Sequence, residues 1–243
     1  MQILTALSFL TCLPVRLRRP PDERDLAGSM VYFPLIGFFL GSLLVLLNLI
    51  LSPLLPIRVV NLALLILLAG LTGGLHLDGL ADTIDGLAGG REKEQRLAIM
   101  RDSRIGALGA LALILLLLAK YELLCSLSGD HRNILLLLMP AMGRWSQVMG
   151  AGLFPSARPG MGSIFVKVVG IKELIWTTLM ILPFCLLLGL FQGLLFCLIN
   201  FGAALVLFWL ISRRIGGLTG DSLGAVSETI EVVSLVIGLL MVA

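Results

Sequence analysis

Charged residues are scarce in this sequence. Asp, Glu, Lys and Arg together make up 14% of its 243 residues, whereas a typical soluble domain has about a quarter. Hydrophobic residues make up 58%, which indicates an integral membrane protein with room for several spans of about 20 residues each. The net charge of +3 is too small to suggest nucleic acid as a partner, and it fits the basic flanks of membrane helices.

Several motifs that would indicate other chemistries are missing. The four cysteines form no CxxC pair, so neither a disulfide framework nor a zinc site is indicated, and reduced, buried thiols are expected. The sequence has no P-loop and no dinucleotide-binding fingerprint. No serine lies in a nucleophile elbow, so Ser-His-Asp catalysis is not supported.

The apolar runs predict an all-α, polytopic membrane helix bundle that forms a single domain over residues 1–243. About seven transmembrane helices are expected, together with a short N-terminal helix over residues 1–13 that lies at the membrane interface. The spans are expected near residues 31–55, 59–75, 105–127, 134–154 and 223–243, with two more between 174 and 211. The charge-free run of 174–211 is too long for one helix, and Gln192-Gly193 is its predicted break.

The distribution of basic residues predicts the orientation of the chain. With the N-terminus in the cytoplasm, most of the 18 Lys and Arg residues fall in cytoplasmic loops, as the positive-inside rule requires. Lys120 and Glu122 then lie near the outer end of their span, where long side chains can reach the interface. Two glycine-rich acidic stretches, residues 73–90 and 216–231, are expected on the cytoplasmic side of the cell (inner) membrane.

The first acidic stretch reads GGLHLDGLADTIDGLAGG. Its aspartates Asp78, Asp82 and Asp85 are spaced i, i+4, i+7, so a helix would project all three from one face. Ionised carboxylates that close repel one another unless a cation sits among them, and hard oxygen ligands suit Mg²⁺ or Mn²⁺. His76 lies just ahead of them. The alternative is a solvated polar face on an inter-helix loop, although such faces usually mix in Lys, Ser and Glu.

The second acidic stretch, residues 216–231, opens the last predicted span. Asp221 or Ser222 can cap the helix that follows, and Glu228 comes seven residues after Asp221, so the two can share a face. Glu228 and Glu231 form an acid pair in an apolar segment, which is costly without a cation or a water-filled cavity. Two interpretations stay open, a second ligand cluster and a capped helix start.

Basic residues near these stretches are candidates for phosphate binding. Arg101, Asp102 and Arg104 immediately precede a long apolar helix, whose first backbone N–H groups favour anions. Arg144 lies near the middle of a span, where a guanidinium needs a carboxylate, a carbonyl or a ligand anion beside it. As an alternative, the first group only sets the orientation of the chain in the membrane. For Arg144, the alternative is a structural ion pair with an aspartate.

Four stretches closely resemble the cobalamin synthase family, also called adenosylcobinamide-GDP ribazoletransferases. They are GGLHLDGLADTIDG (73–86), MRDSRIGALG (100–109), GR (143–144) and GGLTGDSLGAVSE (216–228). TCLPV near residue 11 resembles the family's TRLPV, with Cys12 where arginine is usual, so any role of that arginine does not carry over. The span pattern fits end to end, and a match as long as HLDGLAD is specific.

The resemblance implies a reaction. The protein would transfer the adenosylcobinamide phosphate moiety from adenosylcobinamide-GDP to α-ribazole or its 5′-phosphate, with Mg²⁺, and release GMP in the last step of nucleotide-loop assembly. Its expected metal ligands are Asp78, Asp82, Asp85 and Asp221. Its expected catalytic carboxylates are Asp82, Asp85 and Glu228. Its expected substrate- and phosphate-binding residues are His76, Arg101, Asp102, Arg104 and Arg144.

The expected partners are the two substrates and the lipid bilayer. A homo-oligomer and contacts with other cobalamin-assembly enzymes are left open. An ion-coupled transporter is the main alternative, because buried carboxylates and glycine-broken helices also mark substrate paths. A structural subunit that recruits other enzymes is a second alternative, but it gives no reason for aspartates on one face.

Overall fold

The protein is built from α-helices, as the computed structural model shows for residues 1–127, 129 and 131–242. The helices are α1 (Gln2–Leu10), α2 (Glu23–Ser29), α3 (Phe33–Leu51), α4 (Ile57–Thr72), α5 (Leu75–Gly89), α6 (Lys93–Ile99), α7 (Ala107–Ser126), α8 (His131–Leu153), α9 (Met161–Val166), α10 (Ile171–Cys185), α11 (Leu190–Ile215) and α12 (Gly220–Val242). Within the described ranges no β-strand forms. The all-α prediction is confirmed, and Ala243, the expected end of the last span, lies outside the described residues.

The chain is a multi-pass membrane protein. Five segments are long and apolar enough to cross a membrane, and they lie at Glu23–Leu51, Ala107–Ser126, Ile171–Leu188, Leu190–Ile215 and Gly220–Met241. A sixth is counted if α4 and α5, which meet at 87°, form one broken span. The described residues therefore provide five or six such helices where about seven were expected. The difference lies mainly in α8, which is long but carries polar residues in its second half.

Helix α8 forms the centre of the bundle. Most of its residues are buried, including Arg144 and Gln147, and it packs chiefly against α3 and α12. Glycine makes the contact with α3 close, because a Cβ added at Gly37 would lie 2.5 Å from the Cα of Ala141. Small residues allow helix backbones to approach in this way inside membranes.

Two consecutive glycines produce the sharp turn between α4 and α5. Gly73 and Gly74 have φ angles of 60° and 68°, a left-handed conformation that costs other residues energy and that commonly ends a helix. Helix α4 therefore stops at Thr72, and α5 leaves at a steep angle. The turn directs the first acidic stretch against the beginnings of α7 and α12.

The break in the long apolar run lies earlier than predicted. Helix α10 ends at Cys185, a short 3₁₀ turn follows, and α11 begins after Gly189, whose φ is 105°. Gly193 lies inside α11, where it allows close contact with the backbone of Cys185. The prediction of a break at Gln192-Gly193 was wrong because that glycine serves helix packing and the positive φ falls four residues before it.

Candidate active site

The first two aspartates of α5 are the site's uncommitted carboxylates. The carboxylate of Asp82 interacts electrostatically with the negative charges of Asp78, Asp85 and Asp221 and with the positive charge of Arg158, so these four groups lie near Asp82. Within the described part of the chain, the side chains of Asp78 and Asp82 take part in no salt bridge and accept no hydrogen bond. They are therefore the acids best able to take up a cation or a substrate proton.

Asp85 has a different local role. Its carboxylate accepts hydrogen bonds from the backbone N–H groups of Gly106 at 2.7 Å and Gly109 at 2.8 Å. These are the N–H groups at the start of α7, which need a partner, and glycine leaves room for the carboxylate to reach them. Asp85 and this helix start were expected to bind a metal ion and phosphate respectively, and the structure shows them bound to each other.

Helix α12 begins at Gly220, earlier than predicted, and has a reciprocal cap. The N–H of Thr219 donates to Ser222 Oγ at 2.8 Å, and the N–H of Ser222 donates to Thr219 Oγ1 at 3.2 Å. Asp221 is thus not needed as the cap. Its carboxylate lies 3.3 Å from the guanidinium of Arg158, so it faces the site.

Arg158 is a residue that the sequence analysis missed. It lies in the loop between α8 and α9, donates to the carbonyl of Leu97 at 2.6 Å and pairs with Asp221. Burial lowers its pKa, and the carboxylate of Asp221 partly offsets this. In the sequence, Arg158 is one of the basic residues that set the orientation of the chain in the membrane. Its partners Leu97 and Asp221 lie 61 and 63 positions away, and nothing in the loop indicates either contact.

A buried network of charges joins α5, α7, α8 and α12. Lys120 Nζ donates to Glu228 Oε2 at 2.6 Å and to Glu231 Oε2 at 2.5 Å. Arg144 donates to the other carboxylate oxygen of Glu231, and its Nη2 lies 3.3 Å from His76 Nδ1. All five side chains are buried.

This network changes the interpretation of four residues. Lys120 does not reach the membrane interface, because it neutralises two glutamates in the interior. Glu228, expected to act as a catalytic base, is held by Lys120. Arg144, expected to hold phosphate, has a carboxylate partner, which is a glutamate and not the aspartate of the alternative. His76 is buried against Arg144 and borders the site.

The basic motif before α7 divides between two positions. Arg101 lines a cavity of about 230 Å³, which we call the arginine cavity and which Arg158, Thr219 and Asp221 also line. Asp102 and Arg104 form a salt bridge in which Nη2 of Arg104 lies 2.6 Å from Oδ2 of Asp102. Neither residue lines the arginine cavity, and the Arg104 side chain is 87% exposed. Hydrogen bonds from Arg104 hold the pKa of Asp102 at about 2, so this pair stays ionised at physiological pH.

A second cavity, of about 170 Å³, adjoins the first. Its polar wall consists of His76, Asp78, Gln147 and Asp221, and the rest is apolar and aromatic. We call it the aromatic cavity. Asp221 and Gly220 line both cavities, and Asp78 also borders a wide, open cavity of about 580 Å³ beside the Gly73-Gly74 turn. Three spaces therefore meet at Asp78 and Asp221.

The donor set of this region suits Mg²⁺ that arrives with a phosphate ligand. No group of three His, Cys, Asp or Glu side chains in the described ranges converges closely enough to hold a metal ion alone. Mg²⁺, however, is commonly bound by one or two carboxylates together with substrate phosphates and water. Asp78, Asp82 and Asp221 are hard oxygen donors near one another, and phosphate oxygens would complete the coordination.

These features define a polytopic membrane protein whose acidic site borders an arginine-lined cavity, an arrangement suited to phosphate chemistry. Residues 2–239 match the profile of the family described as cobalamin-5-phosphate synthase. The chain belongs to this family. The family membership inferred from the four motifs is thereby confirmed.

Three curated relatives carry the name adenosylcobinamide-GDP ribazoletransferase. The protein of Acetivibrio thermocellus is 37% identical over 229 residues, which cover 93% of this chain and 92% of that protein. Those of Geotalea daltonii and Desulforamulus reducens are 39% and 37% identical, over 95% and 93% of this chain and 93% and 91% of their own lengths. The name agrees with the enzyme that the sequence motifs implied. No solved structure matches the chain.

Proposed function

We propose that the protein is a Mg²⁺-dependent transferase that joins adenosylcobinamide-GDP to α-ribazole or its 5′-phosphate. The products are adenosylcobalamin or its 5′-phosphate and GMP. Membership of the cobalamin-5-phosphate synthase family and the name of the relatives support this reaction.

The ion pair between Asp221 and Arg158 is the observation that carries the proposal. It lies where the arginine cavity and the aromatic cavity meet. A diphosphate is attracted to Arg101 and Arg158, since guanidinium groups bind phosphate oxygens in pairs. A neutral acceptor suits the aromatic cavity beside them, so that donor and acceptor are held next to each other.

The chain's own residues supply positioning and a proton acceptor. Arg101 and Arg158 hold phosphate oxygens of the donor. The 3′-hydroxyl of ribazole attacks the phosphorus attached to cobinamide, a new P–O bond forms, and the bond to the GMP oxygen breaks. Asp78, which borders the aromatic cavity, takes the hydroxyl proton. It replaces Asp85 and Glu228 in this role, because both of those carboxylates are committed to other groups.

Asp82 and Asp221 would hold Mg²⁺ together with the phosphates, which leaves Asp78 free to accept the proton. When bound, the ion neutralises the negative charge that two phosphates bring to an acidic site. Asp85 contributes by fixing the start of α7 against α5. His76 and Arg144 act as structural neighbours of the site.

The site is proposed to face the cytoplasm. Most basic segments lie on the predicted inner side. Helix α6 links two of them to the site, since Arg96 donates to the carbonyl of Arg214 at 2.8 Å and Arg158 donates to the carbonyl of Leu97. Soluble nucleotides would reach the site from that side. A homo-oligomer and contacts with other cobalamin-assembly enzymes remain predictions.

Purified protein in lipid nanodiscs tests the proposal. Adenosylcobinamide-GDP and α-ribazole are supplied with and without Mg²⁺, and GMP release is measured. We expect GMP only when both substrates and Mg²⁺ are present. Release of GMP without the acceptor, or full activity with a chelator, would contradict it. Movement of solute across vesicles without GMP would favour the ion-coupled transporter.

A further inference from the structure

The aromatic cavity has walls suited to a flat, apolar ring. Phe9 and Phe33 stack with their ring centroids 5.8 Å apart, and Phe165 meets both edge-on at 5.5 and 5.7 Å. These three rings line the cavity. Its volume of about 170 Å³ exceeds the roughly 150 Å³ that admits a benzene ring in another protein.

Gln147 is the unexplained polar group of this cavity. The residue is only 2% exposed, yet its Oε1 has no hydrogen-bond partner among the described residues, and no protein bond from its amide nitrogen is found there either. Buried side-chain amides are normally satisfied, and an exception points to a missing partner. The amide can turn over, so it offers the cavity either its oxygen or its nitrogen.

His76 is another polar residue in the wall of the aromatic cavity. Arg144 can only donate, so the contact of its Nη2 with His76 Nδ1 makes Nδ1 an acceptor. The ring proton therefore lies on Nε2 of a neutral imidazole. The cavity wall thus carries the Gln147 amide and a neutral imidazole, together with the carboxylates of Asp78 and Asp221.

The charges of the lining select against phosphate. The aromatic cavity is lined by two carboxylates, Asp78 and Asp221, and by no Lys or Arg among the described residues. An anionic group with no cation beside it would be repelled there, whereas the adjoining arginine cavity attracts it. The occupant is therefore a neutral aromatic group whose phosphates, if any, lie outside.

We infer that the aromatic cavity holds the base of the acceptor nucleoside and that the Gln147 amide donates a hydrogen bond to its ring nitrogen. This inference rests on the proposed function. A benzimidazole-type base attached to ribose has one ring nitrogen that accepts and no N–H group, so the Gln147 amide satisfies it and the aromatic rings of the cavity cover its apolar faces. Asp78 and Asp221 can also accept from the N–H groups of guanine, so guanine is the competing occupant. The acceptor base is assigned to the cavity because Asp78, the proposed proton acceptor, borders the same cavity, which places the reacting hydroxyl of the bound nucleoside beside it.

The test compares two acceptors that differ at that nitrogen. Protein in nanodiscs is given saturating adenosylcobinamide-GDP and either α-ribazole or the matching indole riboside, in which a C–H replaces the ring nitrogen. GMP release yields KM and kcat/KM. We expect wild type to favour α-ribazole by about tenfold, the size of one lost buried hydrogen bond. In Gln147→Leu, the KM for α-ribazole rises about tenfold and the preference disappears.

Gln192→Leu is the matched control, since Gln192 is exposed at the start of α11, and it should behave as wild type. Gln147→Met, an unbranched replacement, serves the same purpose if the leucine variant fails to fold. A preference that survives in the Gln147 variants overturns the inference while the proposed function stands. A rise confined to the KM for adenosylcobinamide-GDP assigns the cavity to guanine and also overturns it. If wild type releases no GMP with either acceptor, the proposed function itself fails.

Discussion

Gly79 of α5 packs directly against the backbone of Asp221 at the start of α12. A Cβ added at Gly79 would lie 2.8 Å from the carbonyl oxygen of Asp221 and 3.0 Å from its Cα. This close approach brings Asp78 and Asp82, on either side of Gly79 in the sequence, beside the cavities that Asp221 joins. The distance between the aspartates of α5 and Asp221 therefore depends on residue 79 having no side chain.

Gly79→Ala should separate the two helices and lower activity. The contact is with backbone, so α5 must shift, and a misplacement of about 1 Å costs up to about a hundredfold in rate. Overpacking should also lower the free energy of unfolding by about 1–3 kcal/mol. Gly70→Ala is the matched control, because nothing lies within 4 Å of its added Cβ. GMP release and thermal unfolding check both variants, and an active Gly79→Ala would contradict the role given to this contact.

Asp82→Asn keeps the side chain's volume and removes an anionic ligand. We expect kcat/KM at limiting Mg²⁺ to fall by about a hundredfold or more, typical of losing one charge-stabilising group. Asp22→Asn is the control, because Asp22 caps α2 and asparagine caps equally well. A Mg²⁺ titration of GMP release makes the comparison. If Asp82→Asn keeps most of its activity at limiting Mg²⁺, the ligand assignment is wrong.

Asp85→Ala should reduce stability more than it affects Mg²⁺ binding. It leaves the N–H groups of Gly106 and Gly109 without their partner, and the loss of a helix cap costs about 0.5–2 kcal/mol. Asp85→Asn keeps one acceptor and should lose less. Thermal unfolding in detergent measures both. Normal stability combined with a changed Mg²⁺ dependence would return Asp85 to the metal site.

Lys120→Met should destabilise the protein strongly. It leaves Glu228 without a counter-charge in the interior, and breaking a buried ion pair costs about 3–5 kcal/mol. Adding Glu228→Gln removes the uncompensated charge and should recover part of the stability. Lys172→Met, at an exposed position, is the control for losing a lysine. Equal stability of the single and double variants would show that the pair is not coupled.

Arg158→Lys should weaken binding of the diphosphate substrate. Lysine keeps the charge but lacks the planar fork that grips two phosphate oxygens, so the KM for adenosylcobinamide-GDP should rise about tenfold. The KM for α-ribazole should not change, because Arg158 does not line the aromatic cavity. Arg24→Lys, at an exposed position of α2, is the control. An unchanged KM for the donor would remove Arg158 from the site.

Local patterns predicted much of this architecture. The apolar runs located the main helices, and the i, i+4, i+7 aspartates do lie on one helix, α5. The helix boundaries were less accurate where glycine can either end a helix or pack against one. Gly189 and Gly193 look alike in the sequence, and only the three-dimensional contact separates their roles.

Side-chain partners far apart in the chain could not be predicted. Lys120 meets Glu228 across 108 residues and Arg158 meets Asp221 across 63, so spacing along one helix carries no sign of either pair. The same holds for Asp85, whose pattern suggested a metal ligand while its actual partners are backbone groups of the next long helix. Gln147 gave no signal, because an unsatisfied amide is visible only after the cavity around it is known.

The buried network of Lys120, Arg144, Glu228 and Glu231 contains two positive and two negative charges. Dissolved ions weaken interactions between charges that face water, and they reach enclosed pairs far less. The junction of α7, α8 and α12 should therefore hold together equally well in dilute and concentrated salt. Substrate capture by the partly exposed Arg158 would vary with the ionic strength outside.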